Sequence, residues 1–259
     1  MGTRTGKVLR IEKSSIYDGE GLRTVVYVKG CPLRCQWCST PESQLVECMM
    51  DYGYDATPES ILKEIRKDEV FFFHSGGGVT ISGGEVMLQS DFVRDILTGC
   101  KEDGFNTAIE SSLFGSYEAL EKLLPYLDTV FVDFKIEDEE LHRKYTGVSN
   151  AGIKENIRRL NDSFKGNIHV RIPCIPTVNM TEENMEKTAD FFRNLKNIND
   201  IELLPYHRLG IETYRKLGKE YILSDVETPS DSDMKELALK LSAFDPGCRI
   251  LIAGRGFNP

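Results

Sequence analysis

The sequence predicts an α/β fold: six strand–helix units in a parallel βα barrel or an open sheet. Two observations predict it. Short runs rich in Val, Ile and Phe, mostly apolar on both faces, recur along the chain, as buried parallel strands do. Between them lie amphipathic stretches that open on helix-capping residues. Six strands are fewer than the eight of a closed barrel, so an arc of them would leave an open side. The 259 residues, 40% hydrophobic and 28% charged, can bury a core and keep a solvated surface. No repeat or Pro/Gly/Ser linker divides the chain, which reads as a single domain over residues 1–259.

The strand runs are RTVVYVKG (23–30), GVTISGG (78–84), FNTAIES (105–111), TVFVDFK (129–135), IHVRIP (168–173) and DIELLPYH (200–207), with CRILIA a terminal strand. TPESILKEIRKD opens at Thr57, with Pro58 at the first helical position. SDFVRDILTGCKEDG starts at Ser90, a good N-cap, and stops near Gly104. SYEALEKLLPYL, GIKENIRRLNDS, TEENMEKTADFFRNLKN (capped by Thr181) and SDSDMKELALKLSAF supply the remaining helices.

A net charge of −9 argues against a broad electrostatic grip on nucleic acid. No apolar run is long enough to span a bilayer, and MGTRTGKVLR lacks the apolar core of a signal peptide, so the expected location is the cytoplasm. Seven cysteines without a secretory signal point to a reducing compartment, where clustered thiols bind metal more often than they cross-link. Cys48, Cys100, Cys174 and Cys248 are scattered and read as buried small hydrophobes.

The other three, Cys31, Cys35 and Cys38, crowd into GCPLRCQWCSTPESQ around Trp37, the only tryptophan. Structural zinc takes four ligands, usually from two paired sets, and here a fourth would have to be distant, such as Cys48 or His74. A cubane [4Fe–4S] cluster normally takes four thiolates, so three on a tight loop leave one iron open to a small molecule. Charged residues end strand after strand: Glu85 in SGGE, Glu110 before Ser111, Asp133 and Lys135 in VDFK, Arg171 in VRIP and His207 in LLPYH. Bare glycines at Gly83 and Gly84 would let backbone carbonyls approach a ligand ammonium. At the C-terminal ends of barrel strands such groups belong to a binding site, because unpaired charge there is expensive.

C-x3-C-x2-C with an aromatic residue before the third cysteine, on the loop after the first strand, resembles the signature of radical S-adenosylmethionine (radical SAM) enzymes. The resemblance implies a partial (β/α)6 TIM-like barrel with an open side. It implies one [4Fe–4S] cluster on Cys31, Cys35 and Cys38, whose open iron binds S-adenosylmethionine. Reductive cleavage of that cofactor then gives a 5′-deoxyadenosyl radical. Trp37, Gly83, Gly84, Glu85, Asp133, Lys135, Arg171 and His207 fall where related enzymes contact the cofactor. Glu110 and Asp133 match positions that in some relatives help hold a monovalent cation, although other members carry Asp-Thr in place of Glu110-Ser111.

Three further stretches, YDGEGLRT, SGGGVTISGGE and ELHRKYTGVSN, resemble the activating enzymes of glycyl radical enzymes, the group typified by pyruvate formate-lyase activating enzyme. The implied reaction removes a hydrogen atom from a backbone glycine of a partner enzyme, with flavodoxin or ferredoxin as electron donor. Asp18, Gly19, Gly21 and Arg23 of the DGxGxR motif are then expected to recognise the partner's glycine-bearing loop, and no residue need act as acid or base. Only Cys48 lies between Cys38 and Gly83, so the ferredoxin-like insert of some relatives, with its auxiliary clusters, is not expected. The alternatives are a radical SAM enzyme acting on a small molecule in cofactor or modified-nucleoside biosynthesis, and a non-catalytic zinc or iron–sulfur module.

Overall fold

The computed structural model describes residues 4–48 and 52–257, so the start of the N-terminal stretch lies outside it. The chain forms two compact units, Met1–Pro32 with Glu42–Val130, and Leu33–Pro41 with Phe131–Pro259.

The first unit contains β1 (Gly6–Ser15), β2 (Arg23–Val28), β3 (Tyr54–Ala56), α1 (Pro58–Ile65), α2 (Glu69–Ser75), β4 (Gly78–Gly83), α3 (Ser90–Glu102), β5 (Asn106–Ser111) and α4 (Tyr117–Glu121). Its strands lie in the order β5-β4-β2-β1-β3. β2, β4 and β5 are parallel, whereas β1 runs antiparallel to β2 and β3. The register pairs Val28 with Gly83, which sets the start of the cysteine loop beside the SGGE turn. Val25, Val26, Val79, Ile81 and Ile109 are fully buried, as expected for strands covered on both faces.

The second unit begins within β6 (Thr129–Asp133) and continues through α5 (Glu139–Thr146), α6 (Ala151–Ser163), β7 (Asn167–Cys174), α7 (Glu182–Phe192), β8 (Ile198–Pro205), α8 (Ile211–Lys216), α9 (Asp231–Ala243), β9 (Arg249–Ile252) and β10 (Arg255–Gly256). The order is β6-β7-β8-β9-β10, with β7, β8 and β9 parallel and β10 an antiparallel edge. The strand order ends at β3 in the first unit and at β10 in the second, so the fold is an open, mostly parallel α/β sheet. The six expected strand runs are β2 and β4 to β8.

Several expectations are corrected. β7 is not apolar on both faces: Ile168, Val170, Ile172 and Cys174 are buried, while His169, Arg171 and Pro173 alternate with them on a half-buried face. The helix expected to start at Ser90 has Gln89 at its N-cap position, because a 3-10 turn (Val86–Gln89) precedes it. The helix expected across residues 116–127 stops at Glu121, and Pro125, which has no N–H to donate, sits in a separate 3-10 turn. Cys100 and Cys174 are buried as expected, but Cys48 is exposed and Cys248 half-buried. Thr57 caps α1 through a reciprocal box with Ser60, and Thr181 caps α7 as expected. Among the described residues, no helix is long and apolar enough to cross a membrane.

Candidate functional site

The cysteine loop leaves β2 and returns to the same unit. Gly30 N–H donates to Ser43 O (2.7 Å) and Cys31 N–H to Gln44 O (3.1 Å), so both feet of the loop are stitched together. Lys29, fully buried, donates from Nζ to Glu42 O (2.8 Å), and burial pulls its ammonium below the ordinary lysine range. The SGGE turn joins the same foot: Gly84 N–H donates to Val28 O (2.8 Å) and Glu85 N–H to Gly30 O (2.7 Å). A Cβ on Gly84 would lie 2.1 Å from Gly30 O, so only glycine permits this approach.

The Glu85 side chain turns into the protein. Its carboxylate accepts from Ser111 Oγ and Ser112 Oγ (both 2.6 Å), from Ser112 N (3.0 Å) and from Met87 N (3.1 Å). Burial pushes the carboxyl pKa up, and the four donors oppose that shift. Glu85 therefore anchors the loop after β5, where buried Leu113 holds a left-handed φ of 58°. Glu110 accepts from Ser82 Oγ (2.6 Å). At the other end of β2, Arg23 is 1% exposed and donates from all three guanidinium nitrogens to neighbours in its own unit.

The second unit holds the rest of the loop. Arg34 N–H donates to Thr146 O (2.7 Å) and Gln36 N–H to Tyr145 O (3.1 Å), so the C-terminal end of α5 fixes the strip carrying Cys35. Cys35 O accepts from Cys38 N–H (3.1 Å) and from the Tyr214 hydroxyl (3.3 Å). Burial, reinforced by negative charge at Cys38 and Cys35, pushes the Tyr214 phenol up. Trp37 is buried, its ring 6.5 Å from that of Tyr145.

Of the strand-end charges in this unit, Lys135 pairs with Asp133 (3.2 Å) at the end of β6. Arg171, expected at a strand end, lies inside β7 (Asn167–Cys174), because the strand runs on to Cys174. It pairs with Glu202 on β8 (3.0 Å), and its guanidinium carbon lies 4.0 Å from the Phe131 ring centroid. His207 is exposed just past β8, with partial desolvation drawing its imidazole below the usual range. The structure thus places Cys31, Gly83, Gly84, Glu85, Glu110 and the DGxGxR residues on the first unit. Cys35, Trp37, Cys38, Asp133, Lys135, Arg171 and His207 lie on the second.

Sequence reasoning missed Lys29, Ser112, Tyr145 and Tyr214. Two carried a signal, Tyr145 as part of ELHRKYTGVSN and Ser112 as the serine directly after an apolar strand; Tyr214 sits on α8, whose IETYRK shows no apolar stripe.

The chemistry of the donors fits an iron–sulfur cluster: Cys31, Cys35 and Cys38 are in no disulfide, and thiolates are soft ligands that suit iron–sulfur chemistry and not the hard cations. Within the second unit, the Lys135 ammonium with the Asp133 carboxylate and the Arg171 guanidinium with the Glu202 carboxylate set charges of both signs close together.

Residues 25–192 match the Radical SAM superfamily. The (2S)-3-sulfopropanediol dehydratase activating enzyme of Klebsiella oxytoca is 35% identical, over 93% of this chain and 94% of that protein. The pyruvate formate-lyase-activating enzyme of Clostridium pasteurianum is 38% identical, over 90% of this chain and 95% of that protein. Among solved structures, a domain of pyruvate-formate lyase-activating enzyme from Bacteroides vulgatus superposes with a TM-score of 0.57 at 28% identity, over 68% of this chain and 98% of the other.

Proposed function

The chain belongs to the radical SAM superfamily, among the activating enzymes of glycyl radical enzymes, and from that premise we propose that it installs a radical on a backbone glycine of a partner enzyme. What the [4Fe–4S] cluster and S-adenosylmethionine supply when bound, given one electron from reduced flavodoxin or ferredoxin, is methionine and a 5′-deoxyadenosyl radical able to take hydrogen from a glycine Cα. One electron, one S-adenosylmethionine and one glycine C–H bond would thus give methionine, 5′-deoxyadenosine and the glycine radical.

This chain's residues position and shield. Cys31, Cys35 and Cys38 would hold three irons. The Gly83 and Gly84 backbone would face the cofactor's ammonium. Lys135 and Arg171 would meet its carboxylate and hydroxyls, with Asp133, His207 and Trp37 completing the cofactor contacts. Glu85 acts at one remove, by fixing the serine loop after β5. In DGxGxR, buried Arg23 works through the turn it holds, leaving Asp18 and the backbone at Gly19 and Gly21 to meet the partner's loop.

The observation that best supports this reading is the hydrogen bond from Glu85 N to Gly30 O (2.7 Å), which ties the SGGE turn to the foot of the cysteine loop. The short architecture is consistent with it. The alignment with the Klebsiella protein runs over 299 positions, more than the 259 residues here, whereas that with the Clostridium pasteurianum protein runs over 232. We read the chain as lacking a ferredoxin-like insert.

The test is anaerobic. Reconstituted, reduced protein and S-adenosylmethionine are mixed with candidate glycyl radical enzymes, pyruvate formate-lyase and 3-sulfopropanediol dehydratase first, and followed by electron paramagnetic resonance. A glycine-centred radical on one of them is expected. Cofactor cleavage with no radical on any candidate, including those encoded in the same genome, would favour a small-molecule substrate.

A further inference from the structure

DGxGxR reads as a surface motif, yet its arginine is the largest of the fully buried side chains. Arg23 Nε donates to Thr80 Oγ1 (2.7 Å), Nη2 to Val79 O (2.7 Å), and Nη1 to Asn106 Oδ1 (3.0 Å) and Glu20 O (3.3 Å). Among the described residues no carboxylate comes within ion-pair distance of it, and burial brings its pKa down to about 10. A buried guanidinium held only by neutral acceptors is expensive, so the arrangement needs a return.

That return is the shape of the turn. Thr80 Oγ1, while accepting from Arg23, donates its own hydrogen to Asp18 O (2.7 Å). The carbonyls of Asp18 and Glu20 are therefore both tied to the Arg23–Thr80 pair. Gly21 has a φ of 69°, and a Cβ there would lie 2.4 Å from Gly77 N. Leu22 N–H donates to Ser75 Oγ (2.8 Å). The backbone from Asp18 to Leu22 is thus pinned from beneath at three places, while the flanking Ile16 and Tyr17 are 61% and 80% exposed.

We propose that Thr80 and Asn106 are positioning residues that, through Arg23, hold the turn of residues 18–21 in the form that meets the partner's glycine loop. The inference rests on the function proposed above. Both residues act from within the sheet: Thr80 is fully buried in β4 and Asn106 opens β5. A preformed turn lowers the ordering cost when a flexible loop docks on it.

The experiment uses the full chain and the glycyl radical enzyme that gives a radical signal with wild type. Thr80→Val keeps the shape and removes the hydroxyl, Thr80→Ser keeps the hydroxyl, and Asn106→Ala removes one acceptor from Arg23. Thr80→Val is expected to raise the partner KM about tenfold with kcat within about threefold. S-adenosylmethionine affinity should not change, and Thr80→Ser should restore the partner KM. If Thr80→Val fails to fold, Asn106→Ala carries the same expectation with a smaller rise.

A folded Thr80→Val protein with wild-type partner KM overturns the proposal. So does a rise shared equally by Thr80→Ser, or a parallel loss of cofactor affinity, since those outcomes mean general damage to β4. A wild-type enzyme that gives no radical on any partner overturns the functional reading itself, and this inference with it.

Discussion

Cys35 is the most enclosed of the three clustered cysteines, and its carbonyl is held by Cys38 and Tyr214. Cys35→Ala is expected to abolish cluster assembly, read as iron content and visible absorbance after anaerobic reconstitution. About four irons per chain in that variant would remove the assignment. Glu85 makes a different prediction. Its carboxylate serves four donors in a site without water access, so Glu85→Ala leaves serine and backbone donors unmatched and should cost about 3 kcal/mol of stability by denaturant titration. Glu85→Gln, which keeps an acceptor, should lose less. If the glutamate served chiefly as a ligand contact, Glu85→Ala would weaken cofactor binding and leave stability intact. At this scale the sequence displays residue types and spacing but not side-chain direction. GGE and DGxGxR were both legible as motifs, yet Glu85 and Arg23 turn inward, because their partners Ser111, Ser112, Thr80 and Asn106 are brought near only by strand register.

The element that fixes the middle of the cysteine loop is α5. Asp138 caps it through Leu141 N (3.0 Å), and its last turn offers Thr146 O and Tyr145 O to the loop. That turn is braced by His142, almost fully buried, whose Nδ1–H donates to Val148 O (2.8 Å). Burial lowers the His142 pKa from 6.5, so the folded chain prefers neutral imidazole. A depressed folded value means the contribution to stability is complete above 6.5 and declines as pH falls below it, since the unfolded chain then binds the proton more readily. Wild type is expected to lose more melting temperature than His142→Gln between about pH 7 and pH 5; parallel losses would show that His142 does not govern the turn.

Helices with strong caps, α1, α7 and α9, were legible in the sequence. α5 and α8 were not: α8 is short, and α5, although capped by Asp138, buries polar His142 and Thr146 in place of an apolar stripe. β1 was missed as well, because GKVLRIEKSS turns polar and exposed along its second half where it leaves the core.

For the whole molecule, the alternation of apolar runs and capped helices carried the fold class, and six of the strands stand where those runs lie. The antiparallel strands β1, β3 and β10 carried no comparable signal: β3 and β10 are short edges, and β1, which lies between β2 and β3, turns polar along its second half. The charged strand ends were legible as a set and fall on two separate units, a division that spacing along the chain does not encode. What joins fold to function is transfer of one hydrogen atom from a protein glycine to the adenosyl group. The most direct measurement is the mass of the 5′-deoxyadenosine released when the partner has been made with α-deuterated glycine. The account predicts deuterium in that product in step with radical formation; cleavage that yields only unlabelled 5′-deoxyadenosine while the partner gains a radical would contradict it.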